Sequence, residues 1–182
     1  MWRPAVIIVD TGAWVGLADR RDQYHTACRD FFKRNREELI TTYPVLVETV
    51  HLLFNRVGVH MTLAWLETIQ TQGVNVYSLD LAHLRRATNL MHQYADLPMD
   101  LADASLVILA EHLRHGRIVS TDQRDFHTYR WKNHHPFTNL LVANSAWREC
   151  ILHLPTPTTG NHHDPRRNHL PTQPQPAGTS RS

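Results

Sequence analysis

The feature that most constrains the fold is a regular alternation of short apolar segments with longer segments of helical periodicity. The first apolar run, residues 6–9, is rich in β-branched side chains and is typical of a buried strand. Strands separated by helices cannot pair as tight hairpins, so they join a mainly parallel sheet. We therefore predict an α/β fold, a three-layer sandwich with a central, mostly parallel sheet and helices on both faces.

The same pattern gives approximate positions for the elements. Strands are predicted at residues 6–9, 39–42, 74–79, 118–121 and about 137–142. Helices are predicted at about 23–37, after Pro44, near 63–69, at 84–94 and at 101–113. Gly73 and Gly116 each end a helical pattern just before a strand.

The chain of 182 residues is predicted to be one folded domain, residues 1–154, followed by a tail, residues 155–182. The tail contains six prolines among Thr, His, Asn, Gln and Ser, and Leu170 is its single large aliphatic residue. Such a segment cannot bury enough apolar surface to offset its ordering entropy. We therefore expect this Pro/Thr/His-rich tail to be disordered.

Charge and cysteine content say little about partners. The net charge is +2, and the tail, with three arginines and one aspartate, carries all of that excess. Cys28 and Cys150 form no disulfide framework and have no zinc-ligand spacing, although a single bridge stays an open alternative. No apolar run is long enough to span a membrane, and the first residues lack a cleavage site. We expect a cytoplasmic protein without membrane contact.

Acidic residues recur where the predicted strands end and helices begin. Asp10 and Asp122 directly follow two strands, while Glu48 and Asp103 lie near the starts of two helices. Ligands of open parallel sheets bind outside the carboxyl ends of the strands. The sequence therefore predicts one acidic cluster at that edge of the sheet.

Clustered carboxylates repel each other and stay protonated unless a positive group neutralises them. Mg²⁺ prefers oxygen ligands and retains several waters, which suits such a cluster. A cation held in this way can activate water and stabilise charge on a phosphate. The constellation therefore indicates metal-assisted phosphodiester hydrolysis.

Each acid also has a structural interpretation. Asp10 could belong to a turn, and Glu48 taken alone is better read as an exposed helical residue. Asp100 with Asp103, and Asp122 with Asp125, could be helix caps with a favourable first-turn charge. For Glu48, Asp100 and Asp125 taken one at a time, the structural interpretation is favoured. For all the acids taken together, their shared location at one edge of the sheet favours a functional site.

Four segments carry a resemblance to a known family. They are residues 9–14 (VDTGAW), 46–48 (LVE), 101–107 (LADASLV) and 120–126 (STDQRDF). In this order they resemble the acidic motifs of PIN domains, over about residues 5–145. Asp10, Glu48, Asp103 and Asp122 match the family's acidic quartet. Residue 12 departs from the pattern, because Thr-Gly replaces the commoner Thr-Ser.

Residues 94–103 (YADLPMDLAD) resemble in particular the VapC-type toxins of type II toxin–antitoxin systems. The resemblance implies an endoribonuclease that depends on Mg²⁺, with Mn²⁺ as an alternative. It also implies an RNA substrate, a cognate antitoxin and a homodimer.

The resemblance and the chemistry together assign roles. Asp10, Asp103 and Asp122 would hold the metal, and Glu48 would position or deprotonate the attacking water. Four accessory residues are also expected in the site: Asp100 and Asp125, and the hydroxyl-bearing Thr11 and Thr121.

Other residues offer rival interpretations. Fourteen histidines include adjacent pairs at 134–135 and 162–163, without the spacing of helical zinc ligands. An aspartate-nucleophile phosphatase would need an acid at residue 12, which is Gly. A catalytically silent PIN-like module that only binds RNA or protein remains the alternative. Arg124, Arg130 and Trp14 are the candidates for substrate contact.

Overall fold

The computed structural model describes residues 6–97 and 99–141. The predicted disordered tail, the last residues of the predicted domain, Cys150 and the segment before residue 6 lie outside these residues. In the described part of the chain, no helix is both long and apolar enough to cross a membrane.

In the part of the chain that the structure describes, five parallel strands form the central sheet, which confirms the predicted α/β architecture. The strands are β1 (Val6–Val9), β2 (Glu38–Thr42), β3 (Asn75–Tyr77), β4 (Arg117–Val119) and β7 (Thr138–Asn139), in the spatial order β3-β2-β1-β4-β7. Ile8 of β1 is in register with Ile40 on one side and Ile118 on the other. A short antiparallel hairpin, β5 (Arg130–Trp131) and β6 (His135–Pro136), lies apart from this sheet.

Seven helices within the described residues flank the sheet in a three-layer arrangement. They are α1 (Thr11–Ala18), α2 (His25–Arg34), α3 (Tyr43–Arg56), α4 (Val59–Thr71), α5 (Leu81–Gln93), α6 (Leu101–Leu113) and α7 (Gln123–Thr128). Helix α3 starts at the predicted place, with Pro44 in its first turn. Proline lacks a backbone N–H, but the N–H groups of the first turn have no acceptor within the helix, so no helical hydrogen bond is lost. Helix α6 has the bounds that its apolar pattern predicted.

Strand β1 and helix α6 supply a large part of the core. Ile7, Ile8 and Val9 of β1 are almost completely buried. Helix α6 buries eight of the nine residues from Ala102 to Ala110, so it is apolar nearly all round. A helix of this kind is stable only with neighbours on several sides, which fixes its place against β1, β2 and α5.

Three elements were not predicted from the sequence. Residues 11–18 form α1, whereas Asp10-Thr11-Gly12 was also compatible with a turn. Helix α7 and the β5–β6 hairpin are too short for periodicity to reveal. The predicted strand at 118–121 ends at Val119, so Asp122 follows it after a two-residue connection instead of directly.

The strand order creates the site. Strand β1 lies between β2 and β4, and helices α1, α3 and α7 begin just beyond the carboxyl ends of these three strands. Three helix N-termini therefore converge on one edge of the sheet, which is where open α/β sheets bind ligands.

Candidate metal-carboxylate active site

An acidic cleft of about 450 Å³ opens at the carboxyl edge of the sheet. All eight residues predicted as catalytic or accessory line it: Asp10, Thr11, Glu48, Asp100, Asp103, Thr121, Asp122 and Asp125. The fold thus brings together residues from β1, α3, α6 and the β4–α7 connection. Their roles in catalysis remain predictions.

Asp10 forms the floor of the cleft. Its backbone N–H donates to Val119 O at 3.1 Å, which extends the pairing of β1 with β4 by one residue. Its side chain caps α1, with Oδ1 accepting from Thr11 N at 2.6 Å. Burial raises the pKa of Asp10 to about 6, and the charge of Glu48 adds to that rise, against the hydrogen bond from Ser120.

Ser120 belongs to the site and was not singled out from the sequence. Its fully buried hydroxyl donates to Asp10 Oδ2 at 2.7 Å and accepts from Asp122 N at 2.9 Å. Asn139 holds the backbone of Ser120, since its Nδ2 donates to Ser120 O at 2.8 Å. One serine therefore fixes two of the four acids relative to each other. The available signal was a polar residue near the carboxyl end of the strand predicted at 118–121.

Glu48 reaches the cleft from the second turn of α3. The hydroxyl of Thr11 donates to Glu48 Oε2 at 2.6 Å and so orients the carboxylate. Burial raises the pKa of Glu48, and the neighbouring charge of Asp100 raises it further. Thr11, expected as an accessory residue, therefore lies in the cleft and contacts a carboxylate of the site.

Asp103 lies in the first turn of α6, opposite Asp10. Asp100 caps this helix by accepting from Asp103 N at 2.9 Å, so the structural reading of Asp100 is correct and compatible with its place in the cleft. The buried Tyr129 donates its hydroxyl to Asp103 Oδ2 at 3.2 Å. Burial and the charges of Asp10 and Asp100 raise the pKa of Asp103 to about 8.

Asp122 and Asp125 line the cleft from the start of α7. Asp122 caps α7 by accepting from Asp125 N at 3.0 Å, and burial raises its pKa. Asp125 is nearly buried and accepts from Arg124 Nε at 3.0 Å. The pair thus serves as a helix cap and also lines the cleft.

The donor set fits a hard divalent cation bound partly through water. Within residues 6–97 and 99–141, the side chains as placed form no group of three His, Cys, Asp or Glu that could enclose a metal directly. Mg²⁺, however, keeps several waters and uses only one or two carboxylates. The raised pKa values of Asp10 and Asp103 mark buried carboxylates that a nearby positive charge would ionise.

Two sequence candidates for substrate contact, Trp14 and Arg130, do not line the cleft. Trp14 is buried in the core, stacked on Phe32 at 5.1 Å between ring centroids, because α1 turns its side chain away from the cleft. Arg130 donates from Nη1 to three backbone carbonyls at the end of α7, so it stabilises that helix terminus. Arg124 is largely exposed beside Asp125.

Comparison with known proteins gives the family. The sequence matches the PIN domain family over residues 7–132. It is similar to ribonuclease VapC26 of Mycobacterium tuberculosis (strain ATCC 25618 / H37Rv), with 27% identity over 124 residues that cover 68% of this chain and 92% of that protein.

The fold is similar to that of a solved toxin. The crystal structure of Mycobacterium tuberculosis VapC20, a Sarcin-Ricin loop cleaving toxin, superposes with a TM-score of 0.61 at 18% identity, covering 66% of this chain and 92% of that one. At that identity the likeness supports the fold alone. Since the family match extends over more than half of the chain, this protein belongs to the PIN domain family.

Proposed function

We propose that this protein is a Mg²⁺-dependent endoribonuclease and the toxin of a type II toxin–antitoxin pair. The observation that carries the proposal is the convergence of Asp10, Glu48, Asp103 and Asp122 in one cleft. Similarity to ribonuclease VapC26 supports RNA as the substrate. Mn²⁺ is the alternative metal.

The proposed reaction is hydrolysis of a phosphodiester bond. Mg²⁺ held by Asp10, Asp103 and Asp122, directly or through waters, would supply activation of water and neutralisation of phosphate charge. Glu48 accepts a proton from the attacking water, whose oxygen bonds to phosphorus as the bond to the leaving oxygen breaks. The leaving oxygen takes a proton from solvent. The hydrogen bond from Thr11 holds Glu48 in place for this transfer.

The raised pKa of Glu48 suits a base, because a carboxylate of ordinary pKa holds a proton only weakly. Thr121 lies at the cleft wall, where its hydroxyl can donate to a phosphate oxygen. These roles follow from the residues present and require no further group from the chain.

A partner protein is part of the proposal. Tyr43, Val47 and Leu101 expose 57%, 68% and 42% of their surface next to Glu48 and Asp100. A cognate antitoxin that covers the cleft would bury these apolar side chains. By family resemblance we also propose that the protein forms a homodimer and is located in the cytoplasm. Mass measurement of the purified protein in solution would test the dimer.

The decisive experiment compares the purified full chain, freed of any antitoxin, with its Asp10→Asn variant. Structured RNAs, including a sarcin–ricin loop fragment, are incubated with Mg²⁺ or with EDTA. We expect discrete cleavage that requires the metal and disappears in the variant. Asp30→Asn is the control, because Asp30 is an exposed acid on α2 outside the cleft.

A folded Asp10→Asn variant that still cleaves at the wild-type rate would contradict the proposal. A wild-type protein that binds RNA without cleaving any of it would favour the catalytically silent PIN-like binding module instead. Circular dichroism of each variant separates loss of chemistry from loss of fold.

A further inference from the structure

The acidic cleft contains one strongly basic side chain whose place the proposed chemistry does not explain. Seven of the described residues that line the cleft are acids, and among those lining residues Arg56 alone carries a permanent positive charge. RNA is a polyanion, so an acidic cleft repels it wherever a metal does not neutralise the charge. A cation fixed in this cleft therefore bears directly on substrate binding.

Arg56 lies on the same helical row as the proposed base. Glu48, Leu52 and Arg56 are spaced four residues apart along α3, and all three line the cleft. Eight residues of α-helix separate Glu48 from Arg56 by about 12 Å along the axis. Arg56 therefore lines the same cleft as the proposed base, within reach of a phosphate farther along the RNA backbone than the one being cut.

The guanidinium is held in place by the α1–α2 connection. Arg56 Nη1 donates to Asp22 Oδ2 at 3.0 Å, while Asp22 Oδ1 accepts from Tyr24 N at 2.9 Å. Arg21 donates to Arg56 O and is itself paired with Asp19, whose side chain is 7% exposed. Arg21, paired with the buried Asp19, therefore holds the backbone of Arg56, while Asp22 holds its side chain.

The side chain is fixed but still accessible. Arg56 keeps 45% of its side-chain surface exposed, whereas Asp22 keeps 15%. A guanidinium has five N–H donors in a planar fork that matches the oxygens of a phosphate. The contact with Asp22 uses one edge of the group and leaves a preorganised donor for a ligand.

We propose that Arg56, positioned by Asp22, binds a backbone phosphate of the RNA adjacent to the cleavage site. This inference rests on the proposed ribonuclease function. An exposed ion pair contributes only about 0–1 kcal/mol to stability, so stability alone is a weak reason for an arginine in this cleft. Phosphate contacts fix the register of a nucleic acid without reading its sequence, and Arg56 would do so here.

The test measures RNA binding separately from cleavage. A short fluorescein-labelled single-stranded RNA of mixed sequence is titrated, at several salt concentrations with Mg²⁺, into the Asp10→Asn protein. Arg56→Gln, Arg56→Lys and Asp22→Asn are each added to that background. Arg29→Gln is the matched control, since Arg29 is an exposed arginine on α2 that does not line the cleft.

We expect Arg56→Gln to weaken binding by roughly ten-fold and to reduce the slope of log K against log salt by about 0.7, the value for one phosphate contact on a single strand. Arg56→Lys keeps the charge, so it keeps the slope while losing part of the affinity. Asp22→Asn keeps a side-chain oxygen that can accept from Arg56, but it removes one acid from the cleft, so this variant should bind RNA more tightly than the parent. Arg29→Gln should match the parent.

In the otherwise wild-type enzyme, Arg56→Gln should raise KM and leave kcat within about two-fold, because the contact is made equally in the ground and transition states. Equal losses of affinity in Asp22→Asn and Arg56→Gln would assign Arg56 a structural role and overturn the inference. So would an unchanged salt slope in a folded Arg56→Gln protein. A parent that binds no RNA would instead contradict the proposed function itself.

Discussion

Ser120 joins two of the proposed catalytic acids through one hydroxyl group. It donates to Asp10 and accepts from the backbone of Asp122, in a fully buried position. A hydrogen bond to a charged group contributes about 1.5–3 kcal/mol, and its loss would leave Asp10 harder to ionise. We therefore expect Ser120→Ala to lower the rate of RNA cleavage by roughly ten- to hundred-fold.

Cleavage assays on equally folded proteins measure this effect. Ser105→Ala is the matched control, because Ser105 is equally buried but its hydroxyl contacts Thr42 and Ala102 instead of a carboxylate. Full activity in Ser120→Ala would show that Asp10 needs no such support.

Gly12 makes room for the hydroxyl of Thr121. A Cβ at residue 12 would lie 2.0 Å from Thr121 Oγ1 and 3.2 Å from Thr121 Cβ. Overpacking of this kind costs about 1–3 kcal/mol, whereas alanine in a helix gains about 1 kcal/mol over glycine. Gly12→Ala should therefore destabilise the protein by about 1 kcal/mol and displace the hydroxyl from the cleft wall.

Denaturant unfolding of a double-mutant cycle checks this coupling. In a Thr121→Ala background the clash with Oγ1 is gone, so Gly12→Ala should become neutral or stabilising. The same destabilisation in both backgrounds would show that Thr121 is not the residue that requires glycine here.

Helices α3 and α6, which carry Glu48 and Asp103, are joined by a buried hydrogen bond. Ser105 Oγ donates to Ala102 O, so Thr42, the N-cap of α3, must be the donor in its 2.6 Å contact with Ser105. Thr42→Ala removes the cap and this bond, and we expect a loss of about 1–2 kcal/mol in unfolding free energy. Thr42→Ser keeps the hydroxyl and should recover most of that loss, as measured by urea unfolding. Equal losses in both variants would assign the effect to the methyl group instead.

The elements differ in how far the sequence could predict them. Helix α6 and strand β1 have long or strongly apolar patterns, and their predicted bounds agree with the structure. Helix α1 has apolar residues on every side, so no amphipathic period marks it, and Trp14 beside Asp10 was wrongly assigned to the cleft. Helix α7 is six residues long and reads as a turn. Contacts such as Tyr129 with Asp103 join residues far apart in sequence, which no local pattern shows.

Across the whole molecule, the sequence located the acids because strand ends and helix starts are local features, and the parallel sheet then brings them together. It could not locate the residues that support them. Tyr129 and Asp22 belong to no motif, and Ser120 lies in the segment STDQRDF without a sign that it supports Asp10. Only the packing of β4, α7 and the α1–α2 connection places these three residues at the site.

The buried acids make the stability of the whole protein depend on pH. The pKa of Asp10 is raised to about 6 and that of Asp103 to about 8, from ordinary values near 4. Between pH 4 and pH 8 the folded state therefore binds more protons than the unfolded state, so stability falls as pH rises through this window. We expect the Tm in EDTA to decrease from pH 5 to pH 8.

Mg²⁺ should oppose this loss, because it binds the ionised carboxylates and only the folded state presents them together. The increase in Tm on adding Mg²⁺ should therefore be larger at pH 8 than at pH 5, where protons compete for the same oxygens.

Asp103→Asn removes the group with the higher pKa, so this variant in EDTA should be more stable than wild type at pH 8 and less sensitive to pH. Asp30→Asn, outside the cleft, should follow the wild-type curve. The contrary result is a wild-type Tm in EDTA that stays flat or rises from pH 5 to pH 8, with no increase in Tm for Asp103→Asn. It would mean that the cleft acids are already ionised without a metal, and the electrostatic case for a cation there would fail.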